Sequence, residues 1–231
     1  MRMKWAQAAF LLAGAIALAG GRASAQTDVA ASIYGAFSGT ITANGTIQSP
    51  SNAAGGLLEV RHIAKPWYGY EGTYSYNRAN QTYSENSYAV CGVCNASTIW
   101  TQVSNNAHEV TGDWVASLKI KNFRPFALTG SGLLFDAPSD QATTTTDITM
   151  CGGGTPGCIP GATTTSASAS TTIKAVYVYG AGVDWGLLPH IGLRLQYRGN
   201  LYQAPNLTKL YTSSNAFTHT AEPMIGVYFR R

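Results

Sequence analysis

The segment from His190 to Gly199 constrains the fold more than any other part of the chain. Ile191, Leu193, Leu195 and Tyr197 alternate with His190, Gly192, Arg194, Gln196 and Arg198. In an extended strand successive side chains point to opposite faces, so one face here is greasy and the other wet. Two arginines and a glutamine on one side rule out a strand buried in an apolar core on both faces. The same division recurs between Tyr68 and Asn77. There Tyr68, Tyr70, Tyr74 and Tyr76 share one face, and Glu71, Thr73, Ser75 and Asn77 share the other.

Six further segments read as strands. Ala31 to Thr42 sets Ile33, Phe37 and Ile41 against Tyr34, Ser38 and Thr40. Leu57 to Ala64 sets Leu58 and Val60 against Glu59 and Arg61, and Ala107 to Leu118 sets Val110 and Trp114 against Glu109, Thr111 and Asp113. Thr172 to Asp184 opposes Tyr177, Tyr179 and Val183 to Gly180, Gly182 and Asp184, and Pro223 to Arg230 opposes Ile225, Val227 and Phe229 to Gly226 and Tyr228. Phe123 to Phe135 is apolar on both faces, and its phase does not follow from the pattern.

The connections alternate in length. Short ones fall at Lys65-Pro66-Trp67, around Lys119 to Asn122, and from Gly186 to Pro189. Long polar ones run from Ala43 to Gly55, Arg78 to Asn106, Asp136 to Thr171, and Tyr202 to Thr220. Short turns at one end and long loops at the other are the layout of an up-and-down transmembrane barrel. Lipid offers no hydrogen bonds to backbone groups, so a membrane sheet must close on itself. The expected fold is therefore all-β: an eight-stranded antiparallel up-and-down transmembrane β-barrel with four long external loops. A soluble secreted lipocalin-like binding barrel or two-sheet sandwich, with the faces inverted, is the alternative that alternation alone leaves open.

Composition agrees. Charged residues are only 11% of the chain, while tyrosine reaches 13 and glycine 25; the usual helix formers are scarce. The first residues read as an export signal: Arg2 and Lys4, an apolar run from Trp5 to Ala19, then Ala23-Ser24-Ala25 as a cleavage site. Domain organisation is expected as a signal peptide over 1–25 and one outer-membrane barrel domain over 26–231. Three of the 15 basic residues lie in that leader, so the mature chain is near neutral against its 11 acids. No basic face for nucleic acid is present.

Charges on the wet faces, Lys174 among them, would point into a narrow barrel and must pair there. Glu59, Arg61, Glu71, Glu109, Asp113, Asp184, Arg194 and Arg198 are expected to form a lumen charge network, with Asp184 and Arg194 facing each other across a tight turn. Such a network plugs an eight-stranded barrel, which is just wide enough for side chains. Read as a porin-like lumen, it would instead line a small pore. Four cysteines, Cys91, Cys94, Cys151 and Cys158, fall in expected external loops. Export makes them disulfide candidates, with connectivity open and the Cys151 to Cys158 ring the easier local closure. His62, His108, His190 and His219 lie on different strands, with His219 and Glu222 a weak pair. No triad spacing, phosphate loop or metal-binding motif is recognisable, so the chain reads as a non-enzyme with no cofactor and no metal. The threonine runs Thr143 to Thr146 and Thr163 to Thr172 read as solvated loop. Trp67, Tyr68, Trp114 and Trp185 gather near the short turns, as an interfacial girdle would.

Tyr68 to Tyr76, Gly180 to Asp184, Pro189 to Arg194 and Ile225 to Phe229 together resemble the small outer-membrane β-barrel superfamily, the group of the OmpA membrane domain and OmpX-like proteins. The resemblance covers the mature chain in layout and is specific only in those stretches. It implies a cell outer-membrane location in a Gram-negative-type bacterium and a role in the cell envelope. The family's functions include surface adhesion, serum resistance, narrow pores and structural integrity. The partners expected are outer-membrane lipid, periplasmic chaperones and the barrel-assembly machinery, with an extracellular ligand of unspecified identity, no nucleic acid and a monomeric state. Such barrels usually end on an aromatic residue; here Phe229 is followed by Arg230 and Arg231. No peptidoglycan-binding domain follows, so cell-wall tethering does not carry over. The function expected is structural, or surface recognition through the external loops.

Overall fold

A strand with one greasy and one charged face is stable only if each face meets its own medium. The computed structural model describes residues 26–65, 67–88, 96–151, 158–208 and 216–231. In chain order the strands are β1 (Gln26–Ser38), β2 (Ile41–Ala43), β3 (Thr46–Pro50), β4 (Ala53–Lys65), β5 (Tyr68–Tyr88) and β6 (Ala96–Ser117). They continue as β7 (Phe123–Pro138), β8 (Ala142–Cys151), β9 (Cys158–Ala167), β10 (Thr172–Gly186), β11 (Ile191–Gln203) and β12 (Phe217–Arg230). The signal-peptide expectation for 1–25 falls outside the described residues.

Eight of these strands close a barrel. Neighbours run β1, β4, β5, β6, β7, β10, β11, β12 and back to β1, every pair antiparallel. The eight strands expected from alternation are all present, and closure removes the free edges that lipid would leave unpaired. Some boundaries differ. β1 starts at Gln26 and ends at Ser38, so Ile41 belongs to a separate hairpin. The phase of β7 is now fixed: Arg124, Phe126, Leu128 and Leu134 are buried, while Phe123 and Leu133 face outward.

The long connections are not simple loops. β5 and β6 pair along their whole length, from Tyr68 with Ala116 to Tyr88 with Ala96, far beyond the barrel rim. The β2–β3 hairpin adds to β5, and the β8–β9 hairpin adds to β6. A six-stranded sheet, β2-β3-β5-β6-β8-β9, thus stands on the loop side of the barrel. The Thr143–Thr146 run pairs residue by residue with Thr163–Ser166. The expectation of solvated loop there is corrected: β-branched threonine suits a pleated strand. The β2–β3 turn uses Asn44 and Gly45 at φ 52° and 79°, the left-handed pair that a two-residue hairpin turn requires.

Glycine is decisive at Gly182 on β10. A Cβ there would lie 2.5 Å from the Phe126 ring and 2.5 Å from the Leu195 carbonyl oxygen. Only a missing side chain leaves room for the Phe126 ring beside it. Gly182→Val is expected to cost about 1–3 kcal/mol by overpacking, read as a lower urea midpoint for the refolded barrel.

Candidate functional site

The charged residues of the barrel strands gather on its inner face, and the outer face is largely apolar. Outward side chains include Ile33, 69% exposed, Leu195, 52%, and Ile225, 48%. Inward, Arg61, Arg194 and Arg198 are fully buried, as are Asp184 and Glu59 at 1% exposure each. An apolar belt around a closed barrel is far larger than the patches soluble monomers expose. Near the turns Tyr68 stacks on Trp114 at 5.4 Å and Phe123 on Trp185 at 5.8 Å, with Trp67 also exposed.

The eight charges expected in the lumen all lie there, at two levels. Nearer the turns, Asp184 and Arg194 are register partners on β10 and β11. Arg194 donates Nε to Asp184 Oδ1 at 2.6 Å and Nη2 to Oδ2 at 2.8 Å, a bidentate fork. It also reaches across to Glu59 on β4. Arg61 donates Nε to Glu71 Oε2 at 2.7 Å and pairs with Glu59 at 3.1 Å. Its Nη1 lies 3.4 Å from Asp184 Oδ2. β4 and β10 sit half a barrel apart in the strand cycle, so the Arg61 to Asp184 contact crosses the lumen. Arg61 also lies over the Phe126 ring at 3.9 Å, and Arg194 lies 5.5 Å from the Tyr228 ring centre, contacts that favour a guanidinium.

One level further from the turns, Arg198 on β11 crosses to Glu109 at 3.0 Å and Thr111 at 2.9 Å on β6, with Asp113 at 3.8 Å. Asn200 Nδ2 donates to Glu109 Oε2 at 2.9 Å. Above this layer lies a polar space of about 40 Å³, bordered by Asn105, Asp136 and Glu222. One side of the lumen is apolar, with Val115, Phe126, Leu128, Leu134, Val176 and Val178 packed together.

Four inward charges escaped the sequence reading. Asp28, Arg124, Asp136 and Glu222 are all buried. Asp28 lies before the expected start of the first strand, and Arg124 on the strand whose phase was open. Glu222 was paired in expectation with His219. Three residues apart on a strand, the two point to opposite faces: Glu222 lines the lumen, and His219 shares a 3.0 Å hydrogen bond with Tyr179 outside. That pair is therefore corrected. Two other histidines also face outward beside tyrosines, His62 near Tyr70 at 5.1 Å and His108 bonded to Tyr74 at 2.8 Å.

On the loop side, alternation along β5 and β6 continues unbroken, so the inner face of the outer sheet extends the lumen face. Tyr83, Val103, Ala142 and Leu207 form a buried cluster there. The segment 204–208 is held on it: Tyr83 OH and Gln48 Nε2 donate to the Pro205 carbonyl at 2.7 and 3.0 Å. Leu207 N–H donates to Tyr83 OH at 3.2 Å. Cys91 and Cys94 fall outside the described residues. Cys151 and Cys158 are opposite one another in the β8–β9 register.

A closed antiparallel barrel, apolar outside and ion-paired inside, defines the class: an eight-stranded β-barrel with the two-faced layout of a transmembrane barrel. The chain is similar in layout to solved structures of that type. One is the attachment invasion locus protein Ail of Yersinia pestis, also solved with the heparin analogue sucrose octasulfate. It is 13% identical with TM-score 0.43, over 90% of this chain and 100% of that one. Another is the outer membrane protein OprG from Pseudomonas aeruginosa, 10% identical, TM-score 0.44, over 91% and 98%. Neisserial surface protein A is 11% identical, TM-score 0.41, over 91% and 99%. No protein-family model matches the chain. No curated protein matches it either. The class assignment rests on this chain's own strand pairing and faces.

Proposed function

We propose that the chain is a plugged outer-membrane barrel of a Gram-negative-type bacterium, displaying its outer sheet as a structural or recognition surface and catalysing no reaction. Ion pairs that cross the lumen at two levels support the plug over a pore. The ordered sheet on the loop side supports a role there, because strands that extend so far beyond the barrel rim serve nothing inside the bilayer. On this reading 1–25 is removed on export, periplasmic chaperones and the barrel-assembly machinery deliver a monomer, and lipid surrounds it. The Cys151 and Cys158 register also favours a local disulfide at the tip of the β8–β9 hairpin, with Cys91 and Cys94 as the second candidate pair.

Two measurements test it. The purified barrel in planar bilayers is expected to show no steady conductance; a stable ohmic current would overturn the plug. A short epitope inserted between Asn44 and Gly45 is expected to be stained on intact cells, and the same epitope at Lys121 only after permeabilisation. Staining in the reverse order would overturn the orientation.

A further inference from the structure

The turn end of the barrel is strongly basic. Lys65, Lys119, Lys121, Arg124, Arg230 and Arg231 lie there, with Asp28 and with Asp184, the register partner of Arg124, as carboxylates among them. Between the β6–β7 and β10–β11 turns opens a cavity of about 320 Å³. Lys119, Lys121, Arg124 and Arg230 line it, and no carboxylate does. Its remaining wall is mostly apolar, with Phe123, Leu187 and Leu188, the two leucines well exposed at the rim.

Arg124 is the unusual member. The residue is 6% exposed, yet its side-chain hydrogen bond among the described residues runs from Nη2 to Gln26 Oε1 at 3.2 Å. Its Nε and Nη1 are buried and meet no acceptor among the described residues, and Arg230 Nε likewise has no hydrogen bond. The Asp28 carboxylate lies 3.6 Å from Arg230 Nε, and Asp184 is already held by Arg194. Buried guanidinium N–H groups without acceptors are costly, and a planar fork matches phosphate oxygens. Lys121 occupies the tight turn at φ 54°, a backbone position where glycine is easier, so the lysine is not explained by the turn itself. The stacked Phe123 and Trp185 rings mark the same level as the headgroup region of a bilayer.

We propose that this cavity binds the phosphate of a glycerophospholipid headgroup in the leaflet that the turns meet. The phosphate oxygens would take the free Nε and Nη1 donors of Arg124, and Lys119, Lys121 and Arg230 would surround the charge. Leu187 and Leu188 would border the glycerol and first acyl carbons. This rests on the membrane reading proposed above.

The test uses the refolded mature chain in neutral maltoside micelles, titrated with dioctanoyl phosphatidylglycerol and, separately, with inorganic phosphate. Calorimetry is expected to show saturable lipid binding that weakens about tenfold or more in Arg124→Gln and in Lys119→Gln/Lys121→Gln. The double lysine variant alters only exposed turn residues, so it keeps the test valid should Arg124→Gln fail to fold. Equal lipid binding by wild type and the lysine variant would overturn the site. Saturation by inorganic phosphate with no gain from lipid would overturn the lipid assignment. A folded protein that stays dissolved without detergent would instead refute the membrane reading, which separates the two failures.

Discussion

Replacing Arg194 with methionine is expected to destabilise the barrel by about 3–5 kcal/mol, the cost of leaving buried charges without their partner. The size follows from what the guanidinium holds. It bonds both Asp184 oxygens at 2.6 and 2.8 Å and also reaches Glu59. Without it two buried carboxylates lose their shared partner, and Arg61, at 3.1 and 3.4 Å from them, is left to pair with both. Arg194→Lys keeps the charge but loses the fork, and an intermediate loss is expected. Pairing Arg194→Met with Asp184→Leu is expected to recover much of the deficit, because a buried pair replaced whole by apolar groups is often neutral. Urea unfolding of the refolded barrel reads all three. Additive losses in the double variant would mean that the two residues do not act as a pair.

The outer face answers to a different medium. Leu195→Arg is expected to cost about 2–4 kcal/mol, as charge does at the midplane of a barrel's lipid face. Leu195 lies within the apolar belt, paired on either side with Val183 and Ile225. Leu201→Arg, on the same face but near the loop rim beside His219, is expected to cost about 0–1 kcal/mol. The depth dependence matters more than either number. In water both sites are exposed surface positions, where a substitution shifts stability by about 0.5 kcal/mol or less. Equal, small losses at 195 and 201 would therefore point to a soluble barrel.

Much of this architecture was readable from residue alternation, and the omissions have physical causes. Strands β5 and β11 announced themselves because one face is aromatic or aliphatic and the other charged. Asp184 and Arg194 could be matched across their turn because a tight hairpin fixes register. Strand β7 resisted because its inner face is itself apolar: Leu128 and Leu134 belong to the greasy wall of the lumen. That same ambiguity hid Arg124. The outer sheet left no alternating signature, since Thr143–Thr146 and Thr163–Ser166 are polar on both faces and give period two nothing to modulate. One local signal was present all the same: Asn44-Gly45 between Ile41-Thr42-Ala43 and Thr46-Ile47 is a hairpin turn by its own chemistry. The basic cavity at the turn end joins residues from two turns and the last strand, a proximity that only closure of the barrel creates.

The claim beneath all of this is that the side chains at 70, 195 and 225 touch hydrocarbon while those at 61, 194 and 198 do not. Nitroxide labels placed singly at positions 70, 195 and 225 of the protein reconstituted in vesicles, with the native cysteines changed to serine, report it directly. Molecular oxygen is expected to relax these labels strongly, and a water-soluble nickel chelate hardly at all. Strong relaxation by the chelate at Leu195 and Ile225 would contradict the account.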